Sequence, residues 1–250
     1  MMPVLRSYWL GRVAYGTCWD LQRSLVEEVR ERRQPDTFLL LEHPHVFTMG
    51  RRGQADHLIW SEEECARRGV EVVWSDRGGD ATYHGPGQLV GYGILDLERL
   101  GADILEYVHG LETSLIGYLA SLGITSEPGG PGLTGVWSHM GGPQGPLEKV
   151  AAIGCKLDHS ITSHGFALNL TTDLGIFNEG IVPCGLPGKR ATSVQSLVGA
   201  EITVEDAARS YLPFLSRTLG LELAWGEASE LAALPPPSQK PEVGPRLRVL

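Results

Sequence analysis

The chain has 250 residues and a formal net charge of −9. That is room for one large domain or two small ones, and the wrong sign for a general nucleic-acid binder. Its apolar (42%) and charged (20%) fractions are ordinary, but it holds 32 glycines, well above the roughly 7% average, which implies many shaped loops. No stretch approaches the ~18 apolar residues of a membrane span. Met1–Gly11 lacks the apolar segment of a signal peptide. The four cysteines, Cys18, Cys65, Cys155 and Cys184, form neither a Cys-x-x-Cys pair nor a compact Cys/His cluster. A disulfide framework or zinc ribbon is therefore not expected, and scattered thiols fit a reducing cytoplasm.

Leu5–Leu10 reads as a strand, and Thr17 precedes a helical run to Arg33 with Leu21, Leu25, Val26 and Val29 on one face. Thr37–Glu42 is a short apolar run bounded by turn residues, hence a buried strand. Val46–Met49 pairs with or extends it. Ser61 followed by Glu64 is a capping box for a short helix ending at Gly69, and Val70–Trp74 is another strand. After a glycine-studded loop, Leu89–Leu95 continues as a strand. Asp103–Leu122 is the clearest helix, with an apolar stripe through Leu111, Leu115 and Leu119. Lys149–Leu157 and Phe166–Leu170 read as neighbouring strands. Val204–Leu219 is a helix capped by Thr203 and kinked or split at Pro213. Leu221–Ala224 returns to a sheet. Interspersed elements without a strict βαβ rhythm predict an α/β (α+β) fold, a mixed sheet flanked by helices. The domain expectation is one unit over 1–225, with a possible small lobe at 200–225 and a Pro-rich tail at 226–250.

Three segments carry candidate chemistry. Arg77-Gly78-Gly79-Asp80-Ala81-Thr82-Tyr83-His84 is a loop in which backbone can approach a ligand and Arg77 adds a cation. Lys149 opens an apolar strand, where a desolvated amine can tune a neighbour, although a solvated strand end is the plainer reading. Cys184 lies between Pro183 and Gly185, a turn that can present a thiolate nucleophile or simply bury a small side chain. His84 and His164 each precede glycine; either ring can brace a loop or move protons. Gly50–Gly53 with Arg51 and Arg52, together with Lys189 and Arg190, can receive an acidic carrier. His43 and His45 suggest metal only weakly, since Pro44 separates them and no further ligands follow. Tyr83 and Trp137 are possible pocket lining.

Taken together, Phe47–Arg51, Arg77–Gln88, Gly135–Trp137, Lys149–Gly154, His164–Asn169 and Pro183–Gly185 resemble, in order, the octanoyltransferase family, the lipoyl(octanoyl) transferases of lipoate biosynthesis. The resemblance spans about residues 5–220. It implies a catalytic domain of the biotin/lipoate protein ligase type that passes octanoate from octanoyl-acyl carrier protein to a lipoyl-domain lysine. Acceptors would be the lipoyl domains of 2-oxoacid dehydrogenase complexes and the glycine cleavage H protein. It places the acyl thioester on Cys184 and its tuning on Lys149. It lines the acyl site with residues 77–84, with Ala152, Ile153 and Gly154, and with Gly165, Phe166 and Ala167, with His164 in support. No metal, cofactor, nucleic acid or membrane is implied. The chain departs from the compact family pattern at Gly141–Pro146 and after Leu223. On this reading backbone N–H groups near Gly78-Gly79 or Cys184 hold the oxyanion, and neutral Lys149 takes the proton of the incoming amine. The alternative is an ATP-dependent lipoate or biotin ligase on the same architecture.

Overall fold

The computed structural model describes residues 3–130, 132–182 and 189–238. Strand β1 (Val4–Arg12) leads into helix α1 (Tyr15–Arg30), then β2 (Asp36–Glu42) and β3 (Val46–Met49). Helix α2 (Glu62–Arg67) is capped by the Ser61 hydroxyl, which accepts from the Glu64 N–H. There follow β4 (Glu71–Trp74), β5 (Ala81–His84), β6 (Gln88–Ile94), α3 (Leu97–Leu100) and α4 (Ile104–Ser121). Strands β7 (Glu127–Pro128), β8 (Gly135–His139), β9 (Leu147–Asp158) and β10 (Ile161–Asn169) come next. Helices α5 (Leu174–Gly180), α6 (Val194–Val198) and α7 (Val204–Leu219) and strand β11 (Glu222–Trp225) complete the order.

Two sheets result. The larger has the order β11-β1-β2-β6-β10-β9-β8-β7 and the smaller β4-β3-β5. β1 runs parallel to both β2 and β11, whereas β2–β6, β6–β10 and β10–β9 are antiparallel. The sheet is therefore mixed, as the sequence pattern predicts. Helices α4 and α7 pack together against one face, where Phe38, Leu89, Val136, Phe166 and Tyr211 are buried. Helix α1 covers the other face through Leu25 and Val29, against Leu39, Val90, Tyr92 and Ala167. Period-two alternation explains the division: neighbours Phe166 and Ala167 enter opposite cores.

Some boundaries differ from expectation. Helix α1 begins at Tyr15 and stops at Arg30, because Arg32 turns left-handed (φ 57°) and Arg33 folds back onto Glu28 through backbone and guanidinium. Helix α7 runs unbroken through Pro213, with Tyr211, Leu212 and Leu215 buried on the core. Gly141–Pro146 is the β8–β9 turn, closed by Met140 N–H to the Pro146 carbonyl. β11 extends the sheet beside β1. Beyond it, Glu230 binds Arg6 and Tyr8, and Ser238 binds Glu27.

The glycines place one wall of the future site. The Gly78 N–H donates to the Cys155 carbonyl at 3.0 Å. A side chain at Gly78 would come within 2.6 Å of that carbonyl oxygen, and one at Gly154 within 2.7 Å of the Gly78 oxygen. Two bare backbones thus lie back to back, and the 77–80 loop rests directly on β9.

Candidate active site

A cavity of about 360 Å³ lies between the two sheets, within the usual size range of small-ligand sites. Its mouth carries the exposed residues Arg52, Gln54, Gly132 and Thr134; Tyr92, His164, Phe166 and Ala167 are buried members of its wall. The walls come from β5 and the 77–80 loop on one side and β9 and β10 on the other. β9 and β10 contribute small residues in register, Gly154 opposite Gly165 and Ala152 opposite Ala167, which leaves a slot where larger side chains would fill the space.

Lys149 is 4% exposed. Its ammonium donates to the Thr134 carbonyl at 3.0 Å and lies 4.9 Å from the centre of the Trp137 ring. A carbonyl oxygen and an indole face are both partners of positive charge. The Lys149 N–H donates to the Arg190 carbonyl, and its own carbonyl accepts from Thr192 N–H. Trp137 supports Lys149 from behind and does not line the cavity.

Arg77 is likewise buried, but its guanidinium is bound within the loops. It donates to Thr48 Oγ1 at 2.9 Å, to the Gly78 carbonyl at 3.0 Å, and to the Thr48 and Asp80 carbonyls. It knots two turns that also exchange backbone bonds, Arg51 N–H to Arg77 O and Arg52 N–H to Gly79 O. At the base of the cavity, His84 Nδ1–H donates to Gln88 Oε1, Gln88 Nε2 to Asn169 Oδ1, and Asn169 Nδ2 to the Thr192 carbonyl. This hydrogen-bonded chain ends on the residue that pairs with Lys149. Burial holds His84 neutral, its pKa well below the ordinary value.

His164 has a left-handed backbone (φ 57°), and its Nε2–H donates to Asp76 at 2.8 Å. Asp76 also pairs with Lys156. The His164 and Lys156 partners outweigh the cost of desolvating Asp76 and keep its carboxyl below the usual range, while burial lowers the pKa of His164. His43 donates from Nδ1 to the Val13 carbonyl at 2.6 Å and accepts the Tyr92 hydroxyl at Nε2. His45 meets the Tyr83 hydroxyl instead, so the two rings of His43-Pro44-His45 serve separate partners.

His43 makes the fold sensitive to acid. Burial lowers its pKa from 6.5 to about 4. Because the folded value lies below the unfolded one, its stabilisation is full above pH 6.5 and is lost as pH falls towards 4. That shift corresponds to about 3 kcal/mol. Denaturant unfolding at pH 7 and pH 4 is expected to show a loss smaller by about that amount in His43→Gln than in the unsubstituted protein. Equal losses would remove His43 from the account.

The model of the lipoyl protein ligase A/B catalytic domain matches residues 14–215. An octanoyltransferase from Chloroflexus aurantiacus is 43% identical over 222 residues, 88% of this chain and 96% of the relative. One from Acidobacterium capsulatum is 44% identical over 236 residues, 90% and 94% of the two chains. The chain belongs to the octanoyltransferase family. Among solved structures, a bi-partite lipoate protein ligase from Thermoplasma acidophilum matches with a TM-score of 0.69 at 16% identity, covering 92% of this chain and 89% of the other. Lipoate-protein ligase A bound with ATP matches with a TM-score of 0.65 at 14% identity, covering 92% and 91%. At those identities the likeness is one of fold.

In this octanoyltransferase-family chain, one cavity gathers Arg77, Gly79, Asp80, Ala81, Thr82, His84, Lys149, Ala152, Ile153, Gly154, His164, Gly165, Phe166 and Ala167. Two expected lining residues stand elsewhere. Tyr83 alternates away from Thr82 and His84 into the small-sheet core beside Phe47 and Phe177. Gly78 gives its N–H to the Cys155 carbonyl, so among the oxyanion donors expected near Gly78-Gly79 or Cys184 this N–H is already engaged. Cys184 lies outside the described residues. Its flanks do not: Val182 N–H donates to the His57 carbonyl, and Arg190 and Thr192 pair with Lys149. The sequence reading missed His57, Gln54, Tyr92, Thr134 and Phe177, all of them in the cavity wall. Among the described residues no trio of His, Cys, Asp or Glu side chains is arranged to hold a metal, and no helix is long and apolar enough to cross a membrane.

Proposed function

We propose that the octanoyl group travels from octanoyl-acyl carrier protein to a lysine of a lipoyl domain through a thioester on Cys184, with Lys149 as the cation beside the sulfur. Octanoyl transfer is the activity of the family. The observation that carries this route is the narrow slot that holds the buried Lys149 ammonium and is flanked by the residues on either side of the Cys184 segment.

The other cysteines offer no competing nucleophile. Burial pushes the Cys155 thiol up to about 12 and raises those of Cys18 and Cys65; thiols so shifted stay protonated and inert near neutral pH. In the first half-reaction the Cys184 thiolate attacks the carrier thioester, a new C–S bond forms, the carrier C–S bond breaks with its electron pair on the carrier sulfur, and that thiolate takes a proton from the Lys149 ammonium and leaves as the thiol. One thioester replaces another, so no nucleotide is consumed. The acyl chain lies over the small residues of β9 and β10, across from β5 and the 77–80 loop, where burial contributes ~0.8 kcal/mol per CH₂ before ordering costs. In the second half-reaction the acceptor amine displaces Cys184. Exposed Arg52 at the mouth suits an acidic carrier. Acceptors on this reading are the lipoyl domains of 2-oxoacid dehydrogenase complexes and the glycine cleavage H protein.

Intact-mass spectrometry tests the route. Incubation with octanoyl-carrier is expected to add one octanoyl group to the protein, and apo lipoyl domain is expected to remove it. A protein that stays unmodified with octanoyl-carrier yet octanoylates lipoyl domain from ATP and free octanoate would be a ligase instead.

A further inference from the structure

Helix α4 turns one carboxylate inward. Glu112 is 4% exposed, although its buried neighbours Leu111, Leu115 and Leu119 are apolar. A carboxylate is costly to bury unless it is well bonded. Its Oε1 accepts the Gly135 N–H at 3.0 Å, and its Oε2 lies 3.2 Å from Nδ1 of the exposed His109. The Gly135 N–H and the Thr134 carbonyl belong to one peptide group. That carbonyl accepts the Lys149 ammonium at 3.0 Å. The order is therefore carboxylate, amide, ammonium, joined by two hydrogen bonds. Glu112 itself lies in the helix layer, outside the cavity wall.

The linking amide has little freedom to turn. Gly135 has φ 124°, and a side chain there would come within 2.5 Å of the Ala151 carbonyl oxygen, so only glycine fits. The Gly135 carbonyl accepts from the Gly129 N–H at 2.9 Å. Two residues along β8, the Trp137 ring meets the same ammonium, 4.9 Å from its centre. A neutral amide or hydroxyl would satisfy the Gly135 N–H equally well. A carboxylate does more. It polarises the amide it binds, and the added negative charge gathers on the Thr134 oxygen, where the ammonium sits.

We propose that Glu112 is a positioning residue that acts through the Thr134–Gly135 peptide to hold Lys149 in the cavity wall as an ammonium. The inference rests on Lys149 serving the Cys184 thioester as described above. On that reading Glu112 bears on both half-reactions. Before loading, the held ammonium favours the Cys184 thiolate. Once Lys149 has given a proton to the departing carrier sulfur, its neutral amine must regain one. The polarised Thr134 carbonyl favours that return to the charged form, and the acceptor lysine ammonium supplies the proton, which frees its own nitrogen lone pair for attack.

A double-mutant cycle separates this role from plain support of the fold. Wild-type, Glu112→Gln, Lys149→Met and doubly substituted proteins are mixed with octanoyl-carrier, and loading is timed by intact mass. Glutamine Oε1 can still accept the Gly135 N–H, so the melting temperature should stay close to that of wild type while the charge is lost. Glu112→Gln is expected to load ~10-fold more slowly at pH 7, the difference between a charge-assisted and a neutral hydrogen bond. In the Lys149→Met background the same substitution should change loading by no more than about twofold, since the group it acts on is gone. Equal slowing in the two backgrounds, which is what a fold defect would give, overturns the assignment. So does loading by Glu112→Gln within about twofold of wild type. Failure of the wild-type protein to form any adduct would instead sink the thioester reading on which the inference stands.

Discussion

Cys184→Ala is expected to form no octanoyl adduct and to transfer octanoate to lipoyl domain at least ~10⁴-fold more slowly than wild type, the scale of loss when a covalent nucleophile is removed. Cys18, Cys65 and Cys155 cannot substitute for it. Cys18 and Cys65 are fully buried among α1 and small-sheet core residues, and burial raises all three thiols. Rate should therefore collapse to whatever direct attack by lysine on the carrier thioester can supply. Intact mass and a lipoyl-domain octanoylation assay read the result together. An acylated Cys184→Ala protein would remove Cys184 from the mechanism.

The second large effect is assigned to Lys149→Met. Methionine fills nearly the same volume on β9 but removes the charge that Thr134 and Trp137 hold in place. Without a neighbouring cation the nucleophilic thiol reverts towards its ordinary pKa of ~8.5. Acylation is expected to fall ~10²–10³-fold at pH 7, as when one electrostatic stabiliser is deleted, and to recover partly as pH rises towards 9. The fold should tolerate the change, since Lys149 keeps its backbone bonds to Arg190 and Thr192. Melting temperature and rate against pH check both halves. A rate profile parallel to wild type would mean that Lys149 does not act on the thiol.

The strands and long helices were legible because their apolar spacing reports burial directly. Leu39 and Leu41 face α1 while Phe38 and Leu40 face α4 and α7, which is why Thr37–Glu42 reads as a continuous apolar run. Of the cavity wall, Arg77, Gly79, His84, Lys149 and His164 were legible from the residues themselves, and Ala152–Gly154 and Gly165–Ala167 through the family resemblance. Tyr83 was misplaced because residues 77–84 read as one lining segment, whereas β5 alternates and sends its ring to the far side. His57 was invisible for another reason. Its partner Asp80 is 23 residues away, it sits on an irregular turn, and only tertiary packing of the small sheet joins them. The stop of α1 at Arg30 depends on a left-handed Arg32, a conformation that the residue type does not announce.

The cavity wall combines exposed residues, Arg52, Gln54, Gly132 and Thr134, with buried ones, Tyr92, His164 and Phe166. On the proposed route, both protein clients would reach the cavity through the end where Arg52, Gln54, Gly132 and Thr134 are exposed among the described residues. Carrier and lipoyl domain would then compete for one docking rim, and the spent carrier has to depart before the acceptor arrives. Excess of either client would obstruct the other, so cellular flux through the enzyme would depend on the ratio of the two and not only on the supply of fatty chains.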